Sequence, residues 1–281
     1  MDIRTDLALE SISADELPES VHISFRGSAF RITEIVIDDD SLIASIGKGK
    51  GRYITLEGER LSRFSGDYRL MAQELAQELS VLLPDGEILV TGLGNNDITP
   101  DAIGPQTAAK VLATRHISDQ PDCFGELLTS LRPVSSFAGG VMGQTGIETA
   151  EIVRAIAAEL RPAAIIAIDA LACTDINRLG STIQITDTGI SPGSGVSNRR
   201  KELSEKVFGI PVIAVGVPTV VDMHTIVKNL TGKSINGELP NMMVTPRDID
   251  RLTERASQLL AFGINLALQP TLSFEDVRGL F

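Results

Sequence analysis

Two kinds of apolar pattern alternate along the chain. Short runs without alternation occupy residues 88–90, 163–168 and 212–217, and such runs predict central strands that are buried on both faces. Residues 67–83 and 246–268 carry apolar side chains at helical spacing, which predicts amphipathic helices. Strands separated by helices predict an α/β fold in which one mixed, mostly parallel sheet has helices on both faces.

Weaker patterns complete this picture. Residues 21–37 alternate around Gly27 and Ser28, which predicts an N-terminal β-hairpin at the antiparallel edge of the sheet or in a small lobe. Thr145, with Glu148 three positions on, predicts the start of a helix. The same reasoning predicts strands at 53–56, 132–137 and 182–185 and a helix over 105–115. A final helix is predicted to begin at Pro246, with Thr245 as its N-cap. With no internal repeat or linker, we expect one domain over residues 7–281.

Composition narrows the function. Of 281 residues 43% are apolar and 22% charged, and the net charge is -12, which disfavours binding to phosphate backbones. The chain has no tryptophan and two tyrosines, so a base-stacking surface is not expected either. No apolar run approaches the roughly 20 residues of a membrane helix, and the N-terminus lacks a signal core. Cys123 and Cys173 have no paired spacing, as expected of reduced thiols in a cytoplasmic protein.

The most informative stretch is residues 87–105. An apolar strand enters a glycine-rich turn and then a helix, which is where open α/β sheets build their sites. Asp101 follows this turn, and Asp169 directly follows the apolar run 163–168. Each acid also has a structural interpretation, Asp101 as a helix-entry acid and Asp169 as a turn cap or the partner of an arginine. If the strand ends are neighbours, the two carboxylates can activate water and protonate a leaving amide.

Asp187, Glu148 and Asp97 are supporting candidates for such a site. We expect burial at the sheet end to raise the pKa of Asp169. The histidines His22, His116 and His224 do not have metal-ligand spacing, so we predict neither a dedicated metal site nor an organic cofactor. Hydrolysis would then be carried out by carboxylates or by a metal that they hold.

Three further motifs do not fit their usual chemistry. Asp97 stands where a dinucleotide-binding motif that starts at Gly92 needs its third glycine. Ser191 lies in a G-x-S-x-G pattern, but Pro192 has no N–H to serve as an oxyanion donor. The basic loop at residues 48–52 lacks the spacing of a phosphate-binding loop, so we interpret it as a turn.

A set of characteristic stretches spans nearly the whole chain, in the order residues 4–8, 51–57, 92–95, 99–105, 140–149, 167–172, 187–190, 192–196, 216–222 and 243–246. In these stretches the chain resembles the germination proteases of spore-forming bacteria. The resemblance implies an endopeptidase that degrades small acid-soluble spore proteins during germination, with a fold similar to hydrogenase maturation peptidases. It implies that Asp101 and Asp169 are the catalytic pair.

The same resemblance implies a homotetrameric zymogen in the forespore or spore core that removes its own N-terminal segment. The family cuts after an acidic residue and before a hydrophobic residue that alanine follows. Asp6, Leu7 and Ala8 fit this pattern, so we expect self-cleavage between Asp6 and Leu7, with residues 1–6 as a short propeptide. Ile3 departs from the acid that the family prefers four positions before the cut.

Two alternatives remain open at this point. The first is a metal-dependent peptidase of the maturation type in which Asp101, Asp169 and Asp187 are ligands. The second is an inactive homologue that acts as a binding protein. The stretch between Asp222 and Met243 is also shorter than the family leads us to expect.

Overall fold

The computed structural model describes residues 5–11, 20–43, 47–63, 66–118, 130–193, 201–233 and 242–280. Its strands are β1 Val21–Arg26, β2 Arg31–Ile37, β3 Gly51–Glu57, β4 Ile88–Gly92, β5 Val134–Ala138, β6 Ala164–Ala172, β7 Thr182–Thr186, β8 Val212–Asp222 and β9 Met243–Val244. Its helices are α1 Tyr68–Ser80, α2 Ile103–Ala108, α3 Arg115–Ser118, α4 Met142–Thr145, α5 Thr149–Leu160, α6 Glu205–Phe208, α7 Met223–Thr231, α8 Ile249–Leu268 and α9 Phe274–Arg278.

These strands form one sheet in the order β1-β2-β3-β7-β8-β6-β4-β5, and β9 pairs with β8. The pairs β8–β6, β6–β4 and β4–β5 are parallel, whereas the pairs from β1 to β8 through β7 are antiparallel. The predicted mixed α/β sheet is therefore confirmed. The N-terminal hairpin forms the antiparallel edge.

Helices cover both faces of the sheet, as predicted. One face packs against α1, α2 and α8, and its apolar cluster includes Leu75, Ile166 and Leu259. The other face packs against α5, where Val153 contacts the cluster of Ile165 and other alternate strand residues. The run 163–168 is buried on both sides because its even and odd residues enter different cores.

The structure corrects three helix starts. α2 begins at Ile103 and ends at Ala108, so the predicted helix over 105–115 was wrong. α5 begins at Thr149 with Glu148 at its N-cap, because the hydroxyl of Thr145 bonds the main chain of Ile147 instead. α8 begins at Ile249, three residues after Pro246.

Thr245 does not cap α8, because its hydroxyl donates to the carbonyl oxygen of Thr219 on β8, 2.9 Å away. That bond holds the chain against the sheet until the helix begins. Cys173 is a buried free thiol, as predicted, and burial raises its pKa to about 12. Cys123, residues 1–4 and 12–19, and most of the connection at 117–130 lie outside the described residues. Within the described part of the chain, every helix is too short or too polar to cross a membrane.

Candidate active site

The site is built where β6 runs past the end of β4. The ladder between these strands stops at the pair Gly92–Ile168, and β6 continues to Ala172. Asp169 is thus the first residue of β6 beyond the last β4 pair. The sequence led us to expect Asp169 at the end of its strand, but it lies inside β6. On its other side Asp169 pairs with Gly216 of β8, so the strand holds it firmly.

Asp101 reaches the same corner through the turn after β4. Gly94 has a φ of +107°, and a Cβ there would lie 2.2 Å from the carbonyl oxygen of Asp101, so only glycine fits. The N–H of Asn95 donates to the carboxylate of Asp101 at 2.8 Å and to its carbonyl oxygen at 3.1 Å. A short 3-10 turn, Thr99–Asp101, places the carboxylate against this loop.

A close helix–strand contact brings the two acids to one edge. A Cβ on Gly104 of α2 would lie 2.4 Å from the carbonyl oxygen of Ile168, the residue before Asp169. Asp101 precedes Gly104 by one helical turn, and its 3-10 turn packs against β6 and β8. The structure therefore gathers the elements that carry Asp101 and Asp169 at the carboxyl end of the parallel strands.

The two acids have different surroundings. Asp169 is only 5% exposed, and its carboxylate accepts the N–H of Ala170 at 2.9 Å. Asp101 is half-buried at the rim of the turn. Carboxylates in unlike environments are the arrangement in which one side chain can act as a base and the other as an acid.

Two supporting candidates lie on the loops beside Asp101. Asp97 is exposed, and its carboxylate accepts a hydrogen bond from the side chain of Gln144 at 3.0 Å. The same amide group donates to the side chain of Asn95 at 2.8 Å, so Gln144 ties the two loops together. Glu148 follows this loop at the start of α5 and is half-buried.

Asp187 is held elsewhere. It follows β7, which lies two strands from β6, and its carboxylate accepts the N–H of Arg52 at 2.7 Å. Burial raises the pKa of Asp187 above its ordinary value. The ladders pair Asp169 with Gly216 and Gly216 with Gln184, so Asp187 lies two strand spacings, roughly 10 Å, and three further residues from Asp169. Across the described ranges, no group of three or more His, Cys, Asp or Glu side chains is placed to hold a metal.

The predicted self-cleavage bond lies beside the same strand. The N–H of Asp6 donates to the carbonyl oxygen of Ala172 at 3.1 Å, and the N–H of Ala172 donates to the carboxylate of Asp6 at 2.8 Å. Leu7 is fully buried against Leu171 and Cys173. The segment before and after this bond is thus anchored to the end of β6.

Sequence reasoning missed one charged residue in this region. Lys48 donates from Nζ to the carbonyl oxygen of Asp6 at 3.0 Å and to that of Thr5 at 3.5 Å. Burial lowers the pKa of Lys48, whereas the carboxylates of Asp6 and Glu10 act in the opposite direction. The basic loop at residues 48–52 was the signal that could have indicated Lys48. Its spacing does not match a phosphate-binding loop, so the sequence predicted only a turn there.

Comparisons with known proteins agree with one another. A family model described as germination protease matches residues 14–236. A germination protease of Clostridium tetani is 37% identical over 322 residues, covering 99% of each chain. That of Caldanaerobacter subterraneus subsp. tengcongensis is 39% identical, covering 99% of this chain and 98% of its own, and that of a Geobacillus species is 41% identical, covering 99% and 96%.

The alignment with the Clostridium tetani protein spans 322 positions, more than the 281 residues of this chain, so that relative has residues that this chain lacks. Among solved structures, a [NiFe] hydrogenase maturation protease, HycI from Thermococcus kodakarensis, covers 66% of this chain and 96% of its own with 19% identity and a TM-score of 0.38.

Proposed function

The chain belongs to the germination protease family, and on that basis we propose that it hydrolyses small acid-soluble spore proteins when a spore germinates. Membership makes the chain a peptidase. The proposal adds the substrate and the cleavage rule, in which the cut follows an acidic residue and precedes a hydrophobic residue that alanine follows.

For the mechanism we propose that Asp101 and Asp169 activate a water molecule together. One carboxylate accepts a proton from water as the water oxygen bonds the peptide carbonyl carbon. The other, protonated, donates its proton to the departing amide nitrogen as the C–N bond breaks. The observation that supports this pairing is the single corner at which β6 passes the end of β4 and α2 contacts Ile168.

We further propose that the protein is made as a zymogen that cuts its own chain between Asp6 and Leu7, works as a homotetramer, and acts in the forespore or spore core. Asp6 is docked at Ala172, three residues past Asp169 on β6, which corresponds to about 10 Å along a strand. The bond must therefore leave this position before Asp101 and Asp169 of the same chain can reach it, unless a second copy cuts it.

The test is mass spectrometry of the purified protein, incubated alone and with a basic spore protein. We expect the protein to lose residues 1–6 and the substrate to acquire new ends after Glu or Asp. A substrate that stays intact, even with protein trimmed to Leu7, would support the inactive binding protein instead.

A parallel incubation with excess chelator separates the metal-dependent alternative from the proposed chemistry. Cleavage that continues at an unchanged rate agrees with a reaction driven by the two carboxylates. Cleavage that stops with chelator and returns when a divalent metal is added back would show that the carboxylates act through an ion.

A further inference from the structure

Among the strands of the described residues, none pairs with the last residues of β6 on the side of β4. The carbonyl oxygen of Ile168 faces β4, since it accepts the N–H of Leu93 at 2.8 Å. In a regular strand, every second residue directs its main-chain N–H and C=O to the same neighbour. The ladder between β6 and β8 shifts register between Leu171 and Ala172. Ala172 still faces the side of β4, because the N–H of the next residue, Cys173, donates to Val220 of β8 at 3.2 Å, and β4 has already ended at Gly92.

The chain's own N-terminal segment occupies this edge. Both main-chain groups of Ala172 are bonded to Asp6. The carbonyl oxygen of Ala172 accepts the N–H of Asp6, and the N–H of Ala172 donates to the carboxylate of Asp6. Binding of an extended peptide to an open strand edge is a common mode of peptide recognition. At this edge the N–H of Ala172 selects for an acidic side chain, because a hydrogen bond to a carboxylate is stronger than one to a neutral oxygen.

Lys48 adds a positive charge to the same place. Its ammonium group reaches both main-chain carbonyls of the segment, at Thr5 and Asp6, and the carboxylates of Asp6 and Glu10 stabilise its charge. Departure of the segment would remove these two hydrogen bonds from a largely buried ammonium group. A buried charge that loses its partners is costly, so an incoming carboxylate would bind favourably there.

A neighbouring cavity borders the segment at Asp6 and Lys48. It has a volume of about 1260 Å³, and its lining includes Asp6, Lys48, Leu171 and Gly216. Gly216 is the ladder partner of Asp169. A peptide that follows β6 from Ala172 would cover the roughly 10 Å to Asp169 with about three extended residues.

We propose that Ala172 and Lys48 form a subsite for an acidic residue of the peptide substrate, about three residues from the hydrolysed bond, and that Asp6 occupies this subsite in the uncleaved chain. The identity of the peptide rests on the proposed function. The binding itself does not require catalysis, so it can be tested separately.

The experiment uses the full chain with Asp101→Asn, which prevents cleavage, and Asp6→Ala, which vacates the subsite. A fluorescent pentapeptide with the sequence of residues 4–8 is titrated by anisotropy against an analogue that has asparagine in place of aspartate. We expect the acidic peptide to bind at least tenfold more tightly. Adding Lys48→Met should reduce this preference below threefold, and restoring Asp6 should weaken acidic-peptide binding about tenfold because the subsite is filled again.

Equal affinity for the two peptides, or a preference that Lys48→Met leaves unchanged, would overturn the proposal. Cleavage that survives Asp101→Asn would instead overturn the proposed chemistry. The binding ratios would then be measured in a protein that retains activity, with a pentapeptide whose scissile amide is N-methylated.

A second measurement covers the case in which Asp6→Ala fails to fold. Asp6→Asn keeps the shape of the side chain and an oxygen that can accept the N–H of Ala172. Because the carboxylate of Asp6 raises the pKa of Lys48, its loss leaves more of the amine unprotonated. Acetic anhydride, with mass spectrometry as the readout, should therefore modify Lys48 at least fivefold faster in this variant, while exposed Lys50 reacts at an unchanged rate. The acidic peptide should restore the protection of Lys48 and its asparagine analogue should not. An unchanged Lys48 rate would contradict the proposal.

Discussion

The two halves of the sheet use their acidic residues differently. In the antiparallel half, the guanidinium of Arg26 lies between the carboxylates of Glu34 and Glu78, at 2.8 Å from the first and in close contact with the second. These carboxylates raise the pKa of Arg26 above its ordinary value. Each charge therefore has a partner of opposite sign, and the network joins the hairpin to α1.

Glu74 of α1 shows the same principle with main-chain partners. It is 7% exposed, and its carboxylate accepts the N–H groups of Ser28, Ala29 and Phe30 at 2.6 to 3.0 Å. The turn between β1 and β2 thus folds around one buried carboxylate. An acid in this position serves the fold.

In the parallel half, by contrast, Asp101 and Asp169 lie beside the end of strand β4. Asp101 and Asp169 accept N–H groups from the adjacent residues of their own loop or strand, at an edge beside the end of β4. These two bonds fix each carboxylate to its own loop or strand, beside the proposed site. The comparison teaches that the antiparallel acids should govern stability, whereas the parallel acids should govern activity.

The largest expected effect separates these two roles. Asp101→Asn or Asp169→Asn should lower kcat about 10³-fold, the scale of lost acid–base catalysis, and change the free energy of unfolding by no more than about 1 kcal/mol. Initial cleavage rates and urea unfolding of the same preparations measure both quantities. Asp85→Asn, in the exposed turn before β4, is the matched control and should retain activity within about threefold. Near-normal turnover by either variant would remove that aspartate from the mechanism.

The opposite pattern is expected for Glu74→Ala. Loss of the carboxylate removes the acceptor of three main-chain N–H groups, of which that of Phe30 is buried, so the free energy of unfolding should fall by about 2 kcal/mol. Cleavage per folded molecule should stay unchanged. Gln77→Ala, on an exposed face of the same helix, should cost less than about 0.5 kcal/mol. A comparable loss for both variants would show that helix α1 as a whole, rather than the carboxylate, determines the effect.

The smallest effect concerns Asp187, at the junction of the two halves. Because burial raises its folded pKa, the protein loses stability as the pH rises from the unfolded value near 4 through the folded pKa. Asp187→Asn should remove this loss, so the stability gain of the variant over the parent should grow as the pH rises from about 4 to 7. Urea midpoints across that range measure it.

Asp248→Asn is a control of opposite sign for the pH experiment. A hydrogen bond from the hydroxyl of Ser62 lowers the pKa of Asp248, so its contribution to stability is lost as the pH falls. If the two variants showed the same pH trend, the effect would come from net charge and not from the individual sites.

The sequence predicted much of this arrangement of strands and turns. The apolar runs at 88–90, 163–168 and 212–217 predicted β4, β6 and β8, and the alternation around Gly27 predicted the hairpin. The glycine turn and the buried run also located the strand ends near which Asp101 and Asp169 lie, whereas the catalytic pairing of these acids stays a prediction. The strand and turn predictions succeeded because burial and turn chemistry act over a few neighbouring residues.

The errors share one cause. β6 and β8 run several residues past their apolar runs because neighbouring strands pair with them there, and Thr245 bonds Thr219 of β8 instead of capping α8. Glu74 and Lys48 meet their partners across long separations in the chain. A local pattern carries no record of such contacts.

By itself, then, the sequence determined the class of fold, the family and the position of two acids that follow buried apolar runs, because each depends on short patterns of burial and turn residues. Only the tertiary structure decided that β6 extends past the end of β4, that Asp187 follows a different strand, and that Asp6 bonds Ala172 and Lys48. Those outcomes depend on strand register and on pairings between distant segments, which are settled when the sheet assembles.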